Sequence, residues 1–194
     1  MNNLKIFFKN SISIIEKLNL EKINKTINKI SKIKKTGGRI FFLGVGGSAA
    51  NCSHAVNDFR KLCQIECYSP VDNVAELTAR INDDGWESCF KEWLKICNLN
   101  KKDALFILSV GGGDIKKKVS VNLIEAIKYA KTKKCEIFGI IGRKNNYTVK
   151  SSNNIIQLGN INKKLLTPIS ESLQSLVLHC IVSDKRLQKV KTKW

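Results

Sequence analysis

From residue 3 to about residue 34 the apolar positions recur at helical spacing. Ile23, Ile27 and Ile30 fall at i, i+4 and i+7 and so share one face. The spacing predicts one long helix or two shorter ones broken near Asn19. The pair Gly37-Gly38 closes it, because glycine tolerates the left-handed conformation at a helix end. The pattern then changes. Residues 39–44 are apolar and β-rich without alternation, which marks a strand buried on both faces. Residues 104–109 and 136–141 read the same way, and residues 154–158 form a weaker fourth strand. Helical stretches fall at residues 48–65, 74–81, 87–97, 120–133 and 169–188. Strands alternating with helices imply βαβ units. The predicted fold is α/β, a three-layer αβα sandwich with a central parallel sheet, preceded by an N-terminal helical arm. Residues 1–194 read as a single domain, with the arm at 1–36 and the core at 37–194; no repeat or low-complexity linker divides them.

Composition narrows the class. The 194 residues are 43% hydrophobic and 26% charged, which excludes disorder, collagen and coiled coil. A domain of this size buries roughly 70% of its unfolded surface and needs no disulfide to fold. Apolar runs such as residues 104–108 fall short of the ~18 residues that span a bilayer, so no membrane partner is expected. The net charge is +18, but the basic residues are scattered (Lys32, Lys34 and Lys35, then 116–118, then 185–193) with no run interleaved with aromatics. That distribution argues against nucleic acid and leaves a basic field that attracts a phosphorylated substrate. Seven cysteines, odd in number and without a C-x-x-C pair, read as reduced and mostly buried thiols in a cytoplasmic protein. Near the N-terminus, Lys9, Asn10 and Glu16 interrupt any signal-peptide core.

The candidate chemistry lies after the strands. Three of them run into glycine: Gly44-Val45-Gly46-Gly47-Ser48, then Ser109-Val110-Gly111-Gly112-Gly113, and Gly142 before Arg143. In an open α/β sheet, ligands bind at the carboxyl ends of the strands, so these loops converge on one crevice. Glycine admits close approach of a ligand to the backbone, and the helix N-terminus that follows favours phosphate. Ser48 and Ser120 are placed to open the next helices and donate to phosphate oxygens; acting only as helix caps is their plainer reading. Gly44, Gly46 and Ala49 also fit G-x-G-x-x-A, with Glu66 some twenty residues on, a weak dinucleotide fingerprint that leaves the second glycine loop unexplained. A P-loop motif is absent from the sequence. The chain has two histidines, each on a predicted helix that also carries a carboxylate. His54 and Asp58 are i, i+4, and Glu171 precedes His179 by eight residues, two turns. Such a set could hold a divalent metal, zinc being the first candidate, or divide the work between a general acid and a general base.

The stretch from Gly44 to Asp58, the run Asn82-Asp83-Asp84-Gly85, Ser109 with its glycines, and the Glu171…His179 helix together resemble the sugar isomerase (SIS) domain family. Within it the chain is most similar to the phosphoheptose isomerases, over about residues 39–182. The resemblance implies an enzyme that converts D-sedoheptulose 7-phosphate to D-glycero-D-manno-heptose 7-phosphate, toward heptoses of surface polysaccharide. It also implies a cytoplasmic homotetramer, often zinc-bound, with sites shared between subunits. Carried over, Val45, Gly46, Gly47 and Ser48 contact substrate, Asn82 and Asp83 touch the sugar, and Ser109, Gly111 and Ser120 belong to the phosphate loop. His54, Asp58, Glu171 and His179 form the metal set, with Asp58, Glu171 and His179 catalytic. Four departures mark a distinct subgroup: Val45 replaces an asparagine, Asp58 a glutamate and Glu171 a glutamine, and the loop from Ser109 to Ser120 is longer than the family's. The alternatives are a non-catalytic sugar-phosphate-binding or regulatory SIS module and an isomerase of another sugar phosphate; a dinucleotide enzyme is a third.

Overall fold

Burial on both faces turns short apolar segments into a parallel sheet, and the computed structural model, which describes residues 3–191, shows this directly. The end of the basic stretch 185–193 lies outside the described residues. The strands are β1 (Ile40–Leu43), β2 (Cys67–Tyr68), β3 (Ala104–Ser109), β4 (Glu136–Ile141) and β5 (Asn154–Gln157). Their order is β2-β1-β3-β4-β5, every neighbouring pair parallel. Side chains alternate between the two faces. Ile40, Phe42, Phe106, Phe138 and Ile140 enter one core layer, while Phe41, Leu43, Leu105, Ile107 and Ile141 enter the other. Because both layers are apolar, the strands read as unbroken hydrophobic runs. Phe42 stacks on Phe106 at 5.2 Å between ring centroids and meets Phe59 edge-on at 5.1 Å.

The helices are α1 (Asn3–Ile15), α2 (Leu20–Lys35), α3 (Gly47–Lys61), α4 (Val74–Asp84), α5 (Cys89–Ile96), α6 (Val121–Thr132), α7 (Tyr147–Ser151) and α8 (Leu166–Val182). One layer takes α2, α3 and α8 through Ile27, Ile30, Phe59, Leu173 and Ile181; the other takes α5 and α6 through Phe90, Leu94, Leu123 and Ile127. The expected break at Asn19 is real: its side chain accepts from the Lys22 amide at 2.8 Å and caps α2. Gly37, at φ +68°, ends that helix as expected, and the Gly38 amide returns to the Ile33 carbonyl. The stretch from the short turn at 163 through α8 is long and apolar enough to cross a membrane by composition. Half of it is buried here, with Leu173, Val177 and Ile181 in the core, which accounts for its apolarity.

Periodicity missed two elements. β2 has two residues, too few for a pattern, and exists because it pairs with Ile40 and Phe41. The single turn α7 depends on Asn146, whose side chain accepts from the Val149 amide. The last helix ends at Val182 rather than 188; beyond it Arg186 bonds Asp184 and reaches Asn24 and Asn28 on α2. The cysteines are free, and Cys52, Cys63, Cys67 and Cys89 are buried. Burial pushes the Cys63 thiol up to about 11 and that of Cys135 to about 12, so both stay protonated at neutral pH.

Phe106 is fully buried in the central strand between two other phenylalanines. Phe106→Ala is expected to destabilise the protein by about 3–5 kcal/mol, read as a lower midpoint in denaturant unfolding. A midpoint within error of the parent's would show that this aromatic row does not hold the sheet.

Candidate active site

The strand order reverses direction between β1 and β3, so the loops after them part and leave a crevice at the carboxyl end of the sheet. After β1, Gly46 stands at φ +64° and occupies the N-cap of α3. Ser48, expected to open the helix with its hydroxyl toward ligand, is instead the second helical residue. It is 1% exposed, and its Oγ has no protein partner. The cap belongs to glycine because the chain turns there with positive φ, which a serine would strain. Val45 lies exposed beside it. What α3 offers a phosphate is therefore the backbone N–H groups of Gly47 and Ser48, since those of Ala49 and Ala50 already return to the Gly46 carbonyl.

The β3 loop folds on itself. Ser109 Oγ accepts from the Gly112 amide at 2.9 Å. The Gly112 carbonyl takes both the amide and the hydroxyl of Thr148, and the Gly113 carbonyl takes the Tyr147 amide. A β-carbon on Gly112 would overlap the Asn146 side chain, while one on Gly111 would meet open space. Ser120 stands before α6 as expected, but in the left-handed conformation, with its hydroxyl capping nothing.

Helices α3 and α8 lie side by side, and their packing assembles the titratable groups. Asn51 on α3 donates to the Glu171 carbonyl at 2.9 Å and to Gln174 Oε1 at 3.0 Å, fixing the register between the two helices. One turn further along, His54 Nε2 lies 2.8 Å from His179 Nε2, with the rings nearly perpendicular. Asp58 Oδ2 is 3.4 Å from His54 Nε2 and 3.6 Å from His179 Nε2. The i, i+4 spacing of His54 and Asp58 thus does what the sequence predicted, and α8 adds the second imidazole.

Glu171 is not part of that group. It lies two turns earlier on α8, against the β1 loop, where a β-carbon on Gly47 would overlap its carboxylate. The expected four-residue metal set is therefore a trio of His54, Asp58 and His179, whose donor atoms lie within 4.8 Å of one another. Two imidazole nitrogens and one carboxylate oxygen converging at a solvent-accessible point suit a divalent ion such as zinc, with a position left open for a ligand. Asn82 and Asp83 sit exposed on the last turn of α4, and the Asn82 amide donates to the Asp83 carboxylate. None of their hydrogen bonds among the described residues reaches α3, α8 or the glycine loops. Glu66, the acid of the dinucleotide fingerprint, lies before β2 at the opposite end of the sheet, its carbonyl taking the Ile40 amide. It cannot reach a ligand in the crevice. Sequence reading missed Asn51, although it lies three residues before His54 and therefore on the same face of α3.

Parallel β-sheet order, a crevice at the reversal point and glycine loops at the strand ends define an αβα protein of the doubly wound class, with a His-Asp-His group between α3 and α8. A family model described as "SIS domain" matches residues 7–142, and the chain belongs to that family. It is 23% identical to the phosphoheptose isomerase of Syntrophotalea carbinolica over 194 residues, covering 95% of this chain and 93% of the relative. It is 27% identical over 157 residues to the lincomycin biosynthesis protein LmbN of Streptomyces lincolnensis, covering 75% of this chain and about half, 54%, of that longer protein. Among solved structures, phosphoheptose isomerase GmhA from Neisseria gonorrhoeae superposes with a TM-score of 0.78 at 20% identity, over 92% of this chain and 94% of that one, a likeness of fold.

The trio predicts one zinc site per chain. Zinc titration followed by calorimetry is expected to give stoichiometric binding to the parent. His54→Ala and His179→Ala are each expected to weaken it at least roughly tenfold. Undiminished binding in both variants would place the metal elsewhere.

Proposed function

We propose that the protein is an aldose–ketose isomerase of sugar phosphates whose substrate is D-sedoheptulose 7-phosphate, converted to D-glycero-D-manno-heptose 7-phosphate. The observation that carries this reading is the pairing of α3 with α8, which sets Glu171 against the glycine loop at the phosphate-suited N-terminus of α3 and, two turns further along the same two helices, gathers His54, Asp58 and His179. The similarity to curated phosphoheptose isomerases favours the seven-carbon substrate.

In this mechanism the substrate phosphate binds the first-turn amides of α3 and the loop from Ser109 to Ser120. That binding supplies energy remote from the reacting carbons. The Glu171 carboxylate takes a proton from C1 of the open-chain ketose and returns it to C2, through a cis-enediol. His179 carries the proton that leaves the C1 hydroxyl and arrives on O2, and it assists ring opening. Gly47 leaves the room that the carboxylate occupies against the loop, where a β-carbon would overlap it. His54, Asp58 and His179 would hold the divalent ion, zinc by donor type, whose positive charge stabilises negative charge developing on the enediol oxygens. Asn82 and Asp83, exposed on α4, enter a neighbouring subunit's site in a homotetramer. A cytoplasmic location goes with the reading, as does a role in heptose synthesis for surface polysaccharide.

Incubation with sedoheptulose 7-phosphate, with zinc and with chelator, is followed by proton NMR. A new heptose anomeric signal is expected; an unchanged spectrum in every condition refutes this substrate and favours a binding module that keeps the fold without the chemistry. Glu171→Gln should lower turnover at least roughly a hundredfold, whereas near-normal turnover transfers the role of base to Asp58. Gly47→Ala should displace the Glu171 carboxylate and lower turnover roughly tenfold or more while the thermal midpoint stays close to the parent's. Full turnover in that variant would show that the close approach of Gly47 and Glu171 has no catalytic use.

A further inference from the structure

The contacts between α3 and α8 advance together along both helices, so the two run in the same direction. Glu171 sits against Gly47 at one end of the junction, and His179 meets His54 and Asp58 at the other. Asn51 lies between these two contacts, three residues before His54 and so about one turn away along α3. Its Nδ2 group donates twice, to the backbone carbonyl of Glu171 at 2.9 Å and to Gln174 Oε1 at 3.0 Å. A backbone carbonyl only accepts, so the partner itself assigns the nitrogen of the Asn51 amide. One side chain therefore grips the backbone of the candidate base and stands one turn from the first histidine of the candidate metal trio.

The apolar packing beneath does not fix that register. Cys52, Ala55, Leu173, Val177 and Leu178 are buried in one core layer, but such contacts are non-directional and admit small axial slips. Hydrogen bonds are directional, and a donor shared between acceptors at residues 171 and 174 restrains both rotation and translation of α8. The bridge is also a poor device for stability. Gln174 is fully buried with its Nε2 unpartnered, and Ser170 Oγ, one turn earlier on the same helix, is buried and unpartnered too. An apolar pair of the same shape would escape the penalty of that unpaired amide donor.

We propose that Asn51 is a positioning residue: through Gln174 and the Glu171 backbone it sets the axial register of α8 on α3, and so holds Glu171 at the β1 loop and His179 at His54 together. For turnover this rests on the isomerase reading; for the histidine pair it does not. Asn51 touches no reacting atom in this scheme. Its effect on rate comes through geometry, where a misplacement of about 1 Å can cost roughly a hundredfold. A slip of α8 moves the base and the histidine by the same distance, so the two losses appear together.

The test pairs a geometric readout with a kinetic one on the full chain. With two histidines in the sequence, selective labelling leaves two ring systems to follow by NMR. In the chelator-treated parent, the ring C–H groups beside the two Nε2 atoms are expected to show strong cross-relaxation, because those nitrogens lie 2.8 Å apart. Asn51→Leu/Gln174→Met replaces the bridge by apolar groups of similar size, so its thermal midpoint should stay close to the parent's or rise. The cross-peak should nevertheless be lost, and kcat on sedoheptulose 7-phosphate should fall at least roughly tenfold with KM within about twofold. Asn51→Ala, too small to clash, carries the same expectations for cross-peak and kcat if the double variant does not fold. No cross-peak in the parent, or an undiminished one in the folded variant, overturns the proposal. So does a lost cross-peak with kcat unchanged, which would detach the register from the reaction. A parent that turns over no sugar phosphate, yet shows the cross-peak that the variant loses, refutes the isomerase and leaves Asn51 setting the histidine pair.

Discussion

Because β1 and β3 pair side by side while their crossovers leave toward opposite flanks of the sheet, the loops at their carboxyl ends diverge, and the space between them has no strand or helix to fill it. The pairing that enforces this is dry and aromatic. Phe42 faces Phe106 across the β1–β3 register, and both are fully buried. A slip of one residue would send each side chain to the wrong layer and move the glycine loop after β1 relative to the one after β3. The crevice is thus a consequence of strand order, held in position by core packing that never touches a ligand.

The chemistry depends on a second contact, the one between α3 and α8. Helix α3 follows the β1 loop, while α8 closes the chain after β5; more than one hundred residues separate His54 from His179 along the sequence. Asn51 bridges the helices, and Gly142 lets Ser170 pack against the end of β4. This junction is left incompletely bonded. Ser48 Oγ, Ser170 Oγ and Gln174 Nε2 are buried there without protein partners. Unsatisfied buried polar atoms cost stability, and they concentrate where a site is built rather than where a core is merely packed.

Electrostatics divides the same end of the sheet into two regions. Asp58 places negative charge against the two imidazoles, and two turns away Glu171 sets a carboxylate against the glycine loop after β1, a mixed environment suited to moving protons. Between the β3 loop and α7 the charged side chains are Lys116, Lys117, Arg143, Lys144 and Lys150 against the single carboxylate of Asp114. The long loop from Ser109 to Ser120 joins these regions, with glycine on the crevice side and lysine on the outer side. Lys118 and Ser120 both hold positive φ, so the turn back into α6 is made by residues that are strained there.

Much of this was legible in the sequence. Strands buried on both faces announce themselves as apolar runs, an interrupted helical period predicts the break that Asn19 caps, and the i, i+4 spacing of His54 and Asp58 alone places them on one face. These are local properties, set by backbone periodicity within a dozen residues. What the sequence could not decide is where distant segments meet. The eight-residue spacing of Glu171 and His179 suggested a shared site, but two helical turns separate their side chains, so Glu171 reaches the β1 loop and His179 the α3 histidine. Ser48 reads as a helix cap until the positive φ of Gly46 shifts the cap by two residues and turns the serine inward. The two-residue β2 has no period to read and exists only through its partner strand. Scattered lysines became a cleft for the same reason: charge is counted along a chain, but fields add in space, and only the tertiary structure brings residues 116 and 117 to face residues 143 and 144.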